Sequence, residues 1–256
     1  MIRLKLFFSY DGSKFNGWQR QKNTGATIQE TFESRFSRIA NTRVHVHSSG
    51  RTDTGVHART QVAHADVPAA FAAKMPEARL TNALNSLLPP SIRVWRIERA
   101  AAGFHAQRDV RRKMYVYFID PNPVQWPHLR AYAWHLRLPL NWAAMNAAAG
   151  HLAGRHDFRA FCASDSGVKT TVREIFEARW EEIRTAGFSE TRLMAFRIVG
   201  NGFLKQMVRG IVGTLVKIGG GRASPELIPE LLKTGERSRT GVTAPAHGLW
   251  LWDIRY

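Results

Sequence analysis

The chain has 256 residues, 44% of them hydrophobic, with 37 Lys and Arg against 20 Asp and Glu, a formal net charge of +17. That apolar content excludes disorder, and the one cysteine, Cys162, excludes an internal disulfide framework, a Cys-based zinc site and an iron–sulfur cluster. No apolar run reaches the roughly 18 residues of a membrane span, and the alternating start Met1 to Phe8 lacks the core of a signal peptide, which points to the cytoplasm.

Both halves are basic: residues 1–100 carry 15 basic and 7 acidic side chains, residues 101–256 carry 22 and 13. Arg outnumbers Lys 28 to 9. Guanidinium forks match phosphate oxygens two at a time, so the balance fits a nucleic acid better than a generic anion or a membrane surface.

In chain order, Ile2, Leu4, Leu6 and Phe8 alternate with polar residues as a strand does. A Gly/Asn/Ser-rich stretch from Asp11 to Gly25 reads as loop. Thr27-Ile28-Gln29-Glu30 is a capping box, and the stripe Ile28, Phe32, Phe36, Ile39 predicts a helix to about residue 40. Strands are expected over Arg43–Ser48, Thr60–Asp66 and Ile92–Arg99, and a second helix over Pro76–Leu88. This β-α-β-β-α-β order is the ferredoxin-like arrangement, an antiparallel sheet with helices on one face. Further on, strands are expected at Phe104–Ala106, Arg112–Ile119, Tyr132–Leu136, Val172–Glu182, Leu193–Val199 and Leu249–Ile254. Helices are expected at Trp142–Leu152, Phe203–Ile218 and Pro225–Lys233. The fold class is therefore α+β: two halves, residues 1–102 and 103–256, with antiparallel sheets and a central cleft.

The densest polar cluster is Ser48-Ser49-Gly50-Arg51-Thr52-Asp53-Thr54-Gly55-Val56-His57-Ala58, a loop that glycines allow to turn sharply. Arg51 and Asp53 are close enough in sequence to pair, and a guanidinium there would hold the carboxylate ionised, as a nucleophile requires. An isolated Asp in such a loop more often bonds nearby backbone. The length of the motif changes that balance. Neither Gly-Lys-Ser/Thr nor a helix pattern follows, so it is not a phosphate-cradling loop.

Ser49 to Ala58 resembles the active-site motif of the tRNA pseudouridine synthase A family, with Thr54 where that family usually has Ala. Ser9-Tyr10-Asp11-Gly12 with Gly17-Trp18-Gln19-Arg20-Gln21 is similar to its N-terminal signature. Phe104-His105-Ala106 with Lys113-Met114-Tyr115-Val116-Tyr117 is similar to its central one. Asn201-Gly202-Phe203-Leu204, Met207-Val208-Arg209 and Ile211-Val212-Gly213 resemble its C-terminal helix, and Pro245 to Leu249 its closing segment. The likeness spans nearly the whole chain.

The resemblance implies roles. Asp53 matches the nucleophile, and Arg51 the partner of the flipped nucleotide and its phosphate. Tyr115 matches the tyrosine that stacks on the target base and can assist proton removal from C5, and Arg209 the arginine that salt-bridges the carboxylate. Separately, Lys205 and Arg209, i and i+4 on the expected helix, form a cationic ridge away from its apolar stripe, ordinarily a solvated face, which turned toward a cleft would fix the charge of Asp53 and make Lys205 a substrate-binding candidate. The implied reaction is isomerisation of uridine to pseudouridine at positions 38, 39 and 40 of the tRNA anticodon stem-loop, by a homodimer. It breaks N1–C1′ and joins C5 to C1′ without redox change, so no cofactor or metal is required. Attack at C1′, attack at C6 and a glycal route all remain open. Flipping the base costs a few kcal/mol, part of which an aromatic ring returns.

Other signals weigh less. His45 and His47 share a strand face, but no third metal ligand follows at a recognisable spacing. Gly219-Gly220-Gly221 reads as a helix stop and Cys162 as packing; Arg108, Arg111, Arg112 and Lys113 form what is more often a solvated face, and on a chain of +17 a candidate grip for tRNA phosphates. A non-catalytic RNA-binding module would not call for the acid in the Gly-Arg-Thr-Asp loop. A synthase acting on ribosomal RNA should lack the other four segments.

Overall fold

The computed structural model describes residues 1–21, 25–184 and 192–256; residues 22–24 of the expected early loop lie outside that set. The chain begins with β1 (Ile2–Tyr10), α1 (Ile28–Ala40), β2 (His47–Ser48), β3 (His57–Val67), α2 (Ala69–Lys74), α3 (Glu77–Leu87) and β4 (Ile92–Arg99). It continues with β5 (Arg112–Asp120), β6 (Trp134–His135), α4 (Trp142–Gly150), β7 (Gly154–Asp157) and β8 (Val172–Arg184). Last come β9 (Arg192–Gly200), α5 (Met207–Gly219), α6 (Leu227–Thr234) and β10 (Leu249–Arg255). Among the described residues no helix is long and apolar enough to cross a membrane.

Two compact units result, Met1–Arg111 with Leu251–Tyr256, and Arg112–Trp250. The sequence reading puts the junction at 102/103. Residues 103–111 stay with the first unit because their backbone is answered there. Arg3 Nη1 donates to Phe104 O at 2.7 Å, Ala106 N–H to His64 Nδ1 at 3.1 Å, and Arg111 N–H to Arg255 O at 2.9 Å.

In the first unit the strand order is β4-β1-β3-β10, with β2 on β3. The pairs β1–β3, β1–β4 and β2–β3 are antiparallel, as the β-α-β-β-α-β order requires. Leu4, Leu6, Phe8 and Tyr10 bury one face of β1. Phe8 packs 4.9 Å from Phe32 of α1, which places the helix on that face. Thr27 caps α1 by accepting from Glu30 N–H at 3.3 Å.

Two expected strands in this unit are cut back for one reason: side chains take the place of a ladder partner. Over Arg43–Ser48 only His47–Ser48 pairs. Val44 N–H goes to Ser37 Oγ at 2.9 Å and Val46 N–H to the buried Glu33 carboxylate at 2.9 Å. Phe104–Ala106 is no strand, since His64 and Arg3 hold it as described and Tyr256 donates its hydroxyl to Ala106 O at 2.8 Å.

In the second unit the order is β5-β9-β8-β7, with antiparallel β5–β9, β8–β9 and β7–β8 pairs. β6, the remnant of the expected Tyr132–Leu136 strand, runs parallel to β5 through Ile119 and Trp134. Asn146 docks α4 by accepting from Trp180 N–H at 2.7 Å and donating to Trp180 O at 3.3 Å. The expected Phe203–Ile218 helix starts four residues later, at Met207, because Gln206 at φ 61° is left-handed and breaks the helical run. α2 and β7 were not anticipated.

Candidate active site

Within the first unit the loop from Ser49 to Val56 joins β2 to β3. Buried polar side chains from two strands hold its backbone. Ser49 N–H donates to Val62 O at 2.7 Å, and the Ser49 hydroxyl donates to Gln61 Oε1 at 2.6 Å. Gln61 Nε2 donates to Gly50 O at 3.0 Å and reaches the Tyr10 hydroxyl at 3.4 Å. Tyr10 in turn shares a 2.8 Å hydrogen bond with Thr52 Oγ1. Burial pushes the Tyr10 hydroxyl up to about 12, so it stays protonated in this network.

The N-terminal signature proves to be the other wall of this loop. Trp18 N–H donates to Thr52 O at 3.0 Å. Gly17 sits at φ 79°, and a Cβ on it would lie 2.8 Å from Thr52 O and 3.2 Å from the Asp53 carbonyl carbon. A Cβ on Gly12 would land on the Val56 carbonyl, well inside van der Waals contact. Gly12 N–H also donates to Nδ1 of the buried His57 at 3.0 Å. Asp11 Oδ1 lies 3.2 Å from the same ring nitrogen. Val56 N–H closes the turn on Asp53 O at 3.1 Å.

With Thr52 and Val56 buried, Asp53 between them is half-buried and Arg51 exposed. Thr52, drawn inward by Tyr10, separates the exposed Arg51 from the half-buried Asp53. Thr54, the departure from the family motif, is exposed.

Tyr115, Arg209 and Lys205 belong to the second unit. Tyr115 lies on β5 opposite Ile198, buried, with its ring edge-on to Phe203 at 5.0 Å. Tyr117, one pleat on, is also buried and donates to Pro245 O at 2.8 Å; burial raises its pKa well above the usual phenol range. The closing motif is fitted to this ring, since a Cβ on Gly248 would lie 2.6 Å from its Cζ. Arg209 is tied into a strap: its Nε donates to Ala244 O at 2.7 Å while Ala244 N–H donates to Arg209 O at 3.1 Å. Its charge bears on two neighbours, holding down the pKa of His247, which burial already lowers, and opposing the rise at Tyr117.

Lys205 is off the helix, so the expected ridge with Arg209 is not built. Its ammonium lies 2.5 Å from Asp165 Oδ2, on an exposed surface, and this bond holds the Asp165 carboxyl below its usual range. Lys113, part of the central family segment and of the Arg108–Lys113 charge cluster, is different: burial, with Arg173 nearby, pushes its ammonium down to about 8. Sequence reasoning missed Gln61 and Tyr10 as loop supports; nothing local sets Gln61 apart from the other polar residues of β3, His57, Arg59, Thr60, His64 and Asp66. Among the described residues no three His, Cys, Asp or Glu side chains form a metal-binding group.

The family profile described as tRNA pseudouridine synthase matches residues 6–107 and 148–256. Proteins named tRNA pseudouridine synthase A are similar over the full chain. One from Pelobacter propionicus is 42% identical over 256 residues, covering 100% of both chains. Those from Bacillus velezensis and Bacillus subtilis are 42% and 41% identical over 257 residues, covering 100% of this chain and 99% of theirs.

Proposed function

Since the chain belongs to the tRNA pseudouridine synthase family, an isomerase family, we propose that it isomerises tRNA uridines at positions 38, 39 and 40 of the anticodon stem-loop, with Asp53 as nucleophile. One observation carries the assignment to Asp53. The loop is clamped on both sides of it, through Thr52 and through Val56, while its own side chain remains half-buried at the surface. A carboxylate fixed in place by its backbone loses little freedom when a sugar or base is brought against it.

The uridine leaves the stack and its N1–C1′ bond breaks. Asp53 carries the covalent or charge-stabilising role in each of the three open routes. C5 then bonds to C1′ and its proton departs, with Tyr115 as the stacking surface for the uracil and the candidate to assist that departure. Arg51, exposed beside Asp53, takes the flipped nucleotide's phosphate. Arg209 serves as the carboxylate's cationic partner, assigned from the family likeness. The same reading expects a cytoplasmic homodimer.

Tritium release from tRNA transcripts carrying [5-³H]uridine tests this. Wild type should release tritium, and Asp53→Asn should fall at least about a thousandfold while keeping its affinity for tRNA. Turnover surviving in Asp53→Asn removes the nucleophile assignment. Binding without release by wild type leaves an RNA-binding module.

A further inference from the structure

The face of the first unit's sheet turned away from α1 carries a cavity of about 460 Å³ that the proposed reaction does not use. Phe7 of β1 forms its floor, and four strands contribute to its lining: Arg59 and Thr60, Trp95 and Arg96, and Asp253 beside Ile254. Consecutive residues of a regular strand point to opposite faces. Here two register shifts set that rule aside. Phe7 pairs with Arg96 and Phe8 with Val94, leaving Trp95 as an extra residue; Phe8 pairs with Gln61 and Tyr10 with Ala58, giving β3 an extra residue beside Thr60. Each bulge brings two neighbouring side chains into one pocket, an arrangement found where a strand is re-aimed for a purpose.

The contents are aromatic faces and guanidinium groups. Trp95 is 51% exposed, with its ring 5.4 Å from Phe7. Arg96 lies over the Phe7 ring at 3.9 Å and Arg59 over the Trp252 ring at 5.1 Å, which presets both guanidinium planes. Two acids are nearby but engaged: Glu98 lies 3.5 Å from Arg96 and 3.7 Å from Lys5, and Asp253 lies 3.2 Å from Arg255. An open indole and two ring-stacked arginines lining one pocket, on a chain of net charge +17, match an unpaired nucleotide whose base stacks and whose flanking phosphates are gripped.

We propose that this bulge-built pocket is a second RNA contact, holding an unpaired base of the tRNA on Trp95 with its phosphates on Arg59 and Arg96. The inference rests on the tRNA reading above. Its test is the affinity of an unmodified tRNA transcript for wild type, Trp95→Ala, Trp95→Phe and Arg59→Gln, with KM and kcat by tritium release and with sedimentation.

Trp95→Ala should weaken binding and raise KM by about five- to a hundredfold, the loss of one stacked base, with the rate at saturating tRNA held. Trp95→Phe should recover most of the affinity. Arg59→Gln should weaken binding and lower the salt slope by about one. Active wild type with both Trp95→Ala and Arg59→Gln binding as tightly overturns the pocket and leaves the function standing. Wild type that neither binds nor modifies tRNA overturns the function itself. Dissociation of a dimer in Trp95→Ala would assign the pocket to a second copy of this chain, also against the proposal. If Trp95→Ala fails to fold, Arg59→Gln and Trp95→Phe decide.

Discussion

The two units hold their family-matched residues by different means. In the first, Asp53 sits on a loop whose backbone is secured by buried hydroxyl and amide groups and by glycines at the points of closest approach. In the second, Tyr115 and Arg209 stand on regular elements, a strand and a helix, with Tyr115 packed against Phe203 and Arg209 strapped to Ala244. An irregular backbone must find a partner for every polar group outside a ladder, so its supports come from far along the chain. A regular element answers its own. Damage to remote residues should therefore cost placement of the reactive group in the first unit, and mainly stability in the second.

The largest effects fall on two glycines that test this contrast. A Cβ on Gly12 meets the Val56 carbonyl, and one on Gly213 of α5 meets the Val242 carbonyl. Alanine in a helix normally stabilises relative to glycine, but at Gly213 the carbonyl reverses that sign. Gly12→Ala and Gly213→Ala should each cost about 1–3 kcal/mol or more, seen as a lower Tm. Gly12→Ala should also reduce kcat in the fraction that remains folded, whereas Gly213→Ala should not. Equal kcat losses in the two variants would erase the distinction.

Next is Tyr10→Phe, which removes one hydroxyl and leaves Thr52 Oγ1 and Gln61 short of a partner in a buried site. It should cost about 1–3 kcal/mol in denaturant unfolding, with a fall in kcat larger than any change in KM. A change confined to stability would mean that Asp53 is positioned without the network.

The smallest expected effect is a pH dependence confined to the first unit. His64 accepts the Ala106 N–H at Nδ1, and its pKa is lowered to about 4 by burial first, then by the charges of His47, Arg3 and His105, with Asp66 opposing. A folded pKa below the unfolded value gives stability that is present above about pH 6.5 and lost as pH falls toward 4. Hydrogen exchange at Ala106 should quicken over that window, and His64→Asn, which keeps an acceptor without the titration, should flatten the response.

Regular elements were legible in the sequence, and irregular ones were not. β4 was expected at its observed bounds, and β5, β8, β9 and β10 within a residue or two, because alternating apolar residues report a buried face. The strand over Arg43–Ser48 failed because its donors were already taken by Ser37 and Glu33 on α1, and no local pattern records such a match. The Lys205–Arg209 ridge failed on one residue, Gln206, whose left-handed backbone a glutamine does not announce.

By itself the sequence determined the α+β class, the basic character, the family and the loop that carries Asp53. Those depend on residue type and order, which a chain displays directly. Only the tertiary structure decided that Tyr10, Gly12, Gly17 and Gln61 build that loop, that Arg51 is exposed, and that two bulges gather Arg59 and Trp95 into a pocket. Each of these turns on which distant group answers a particular backbone atom, a pairing settled only when the strands come together.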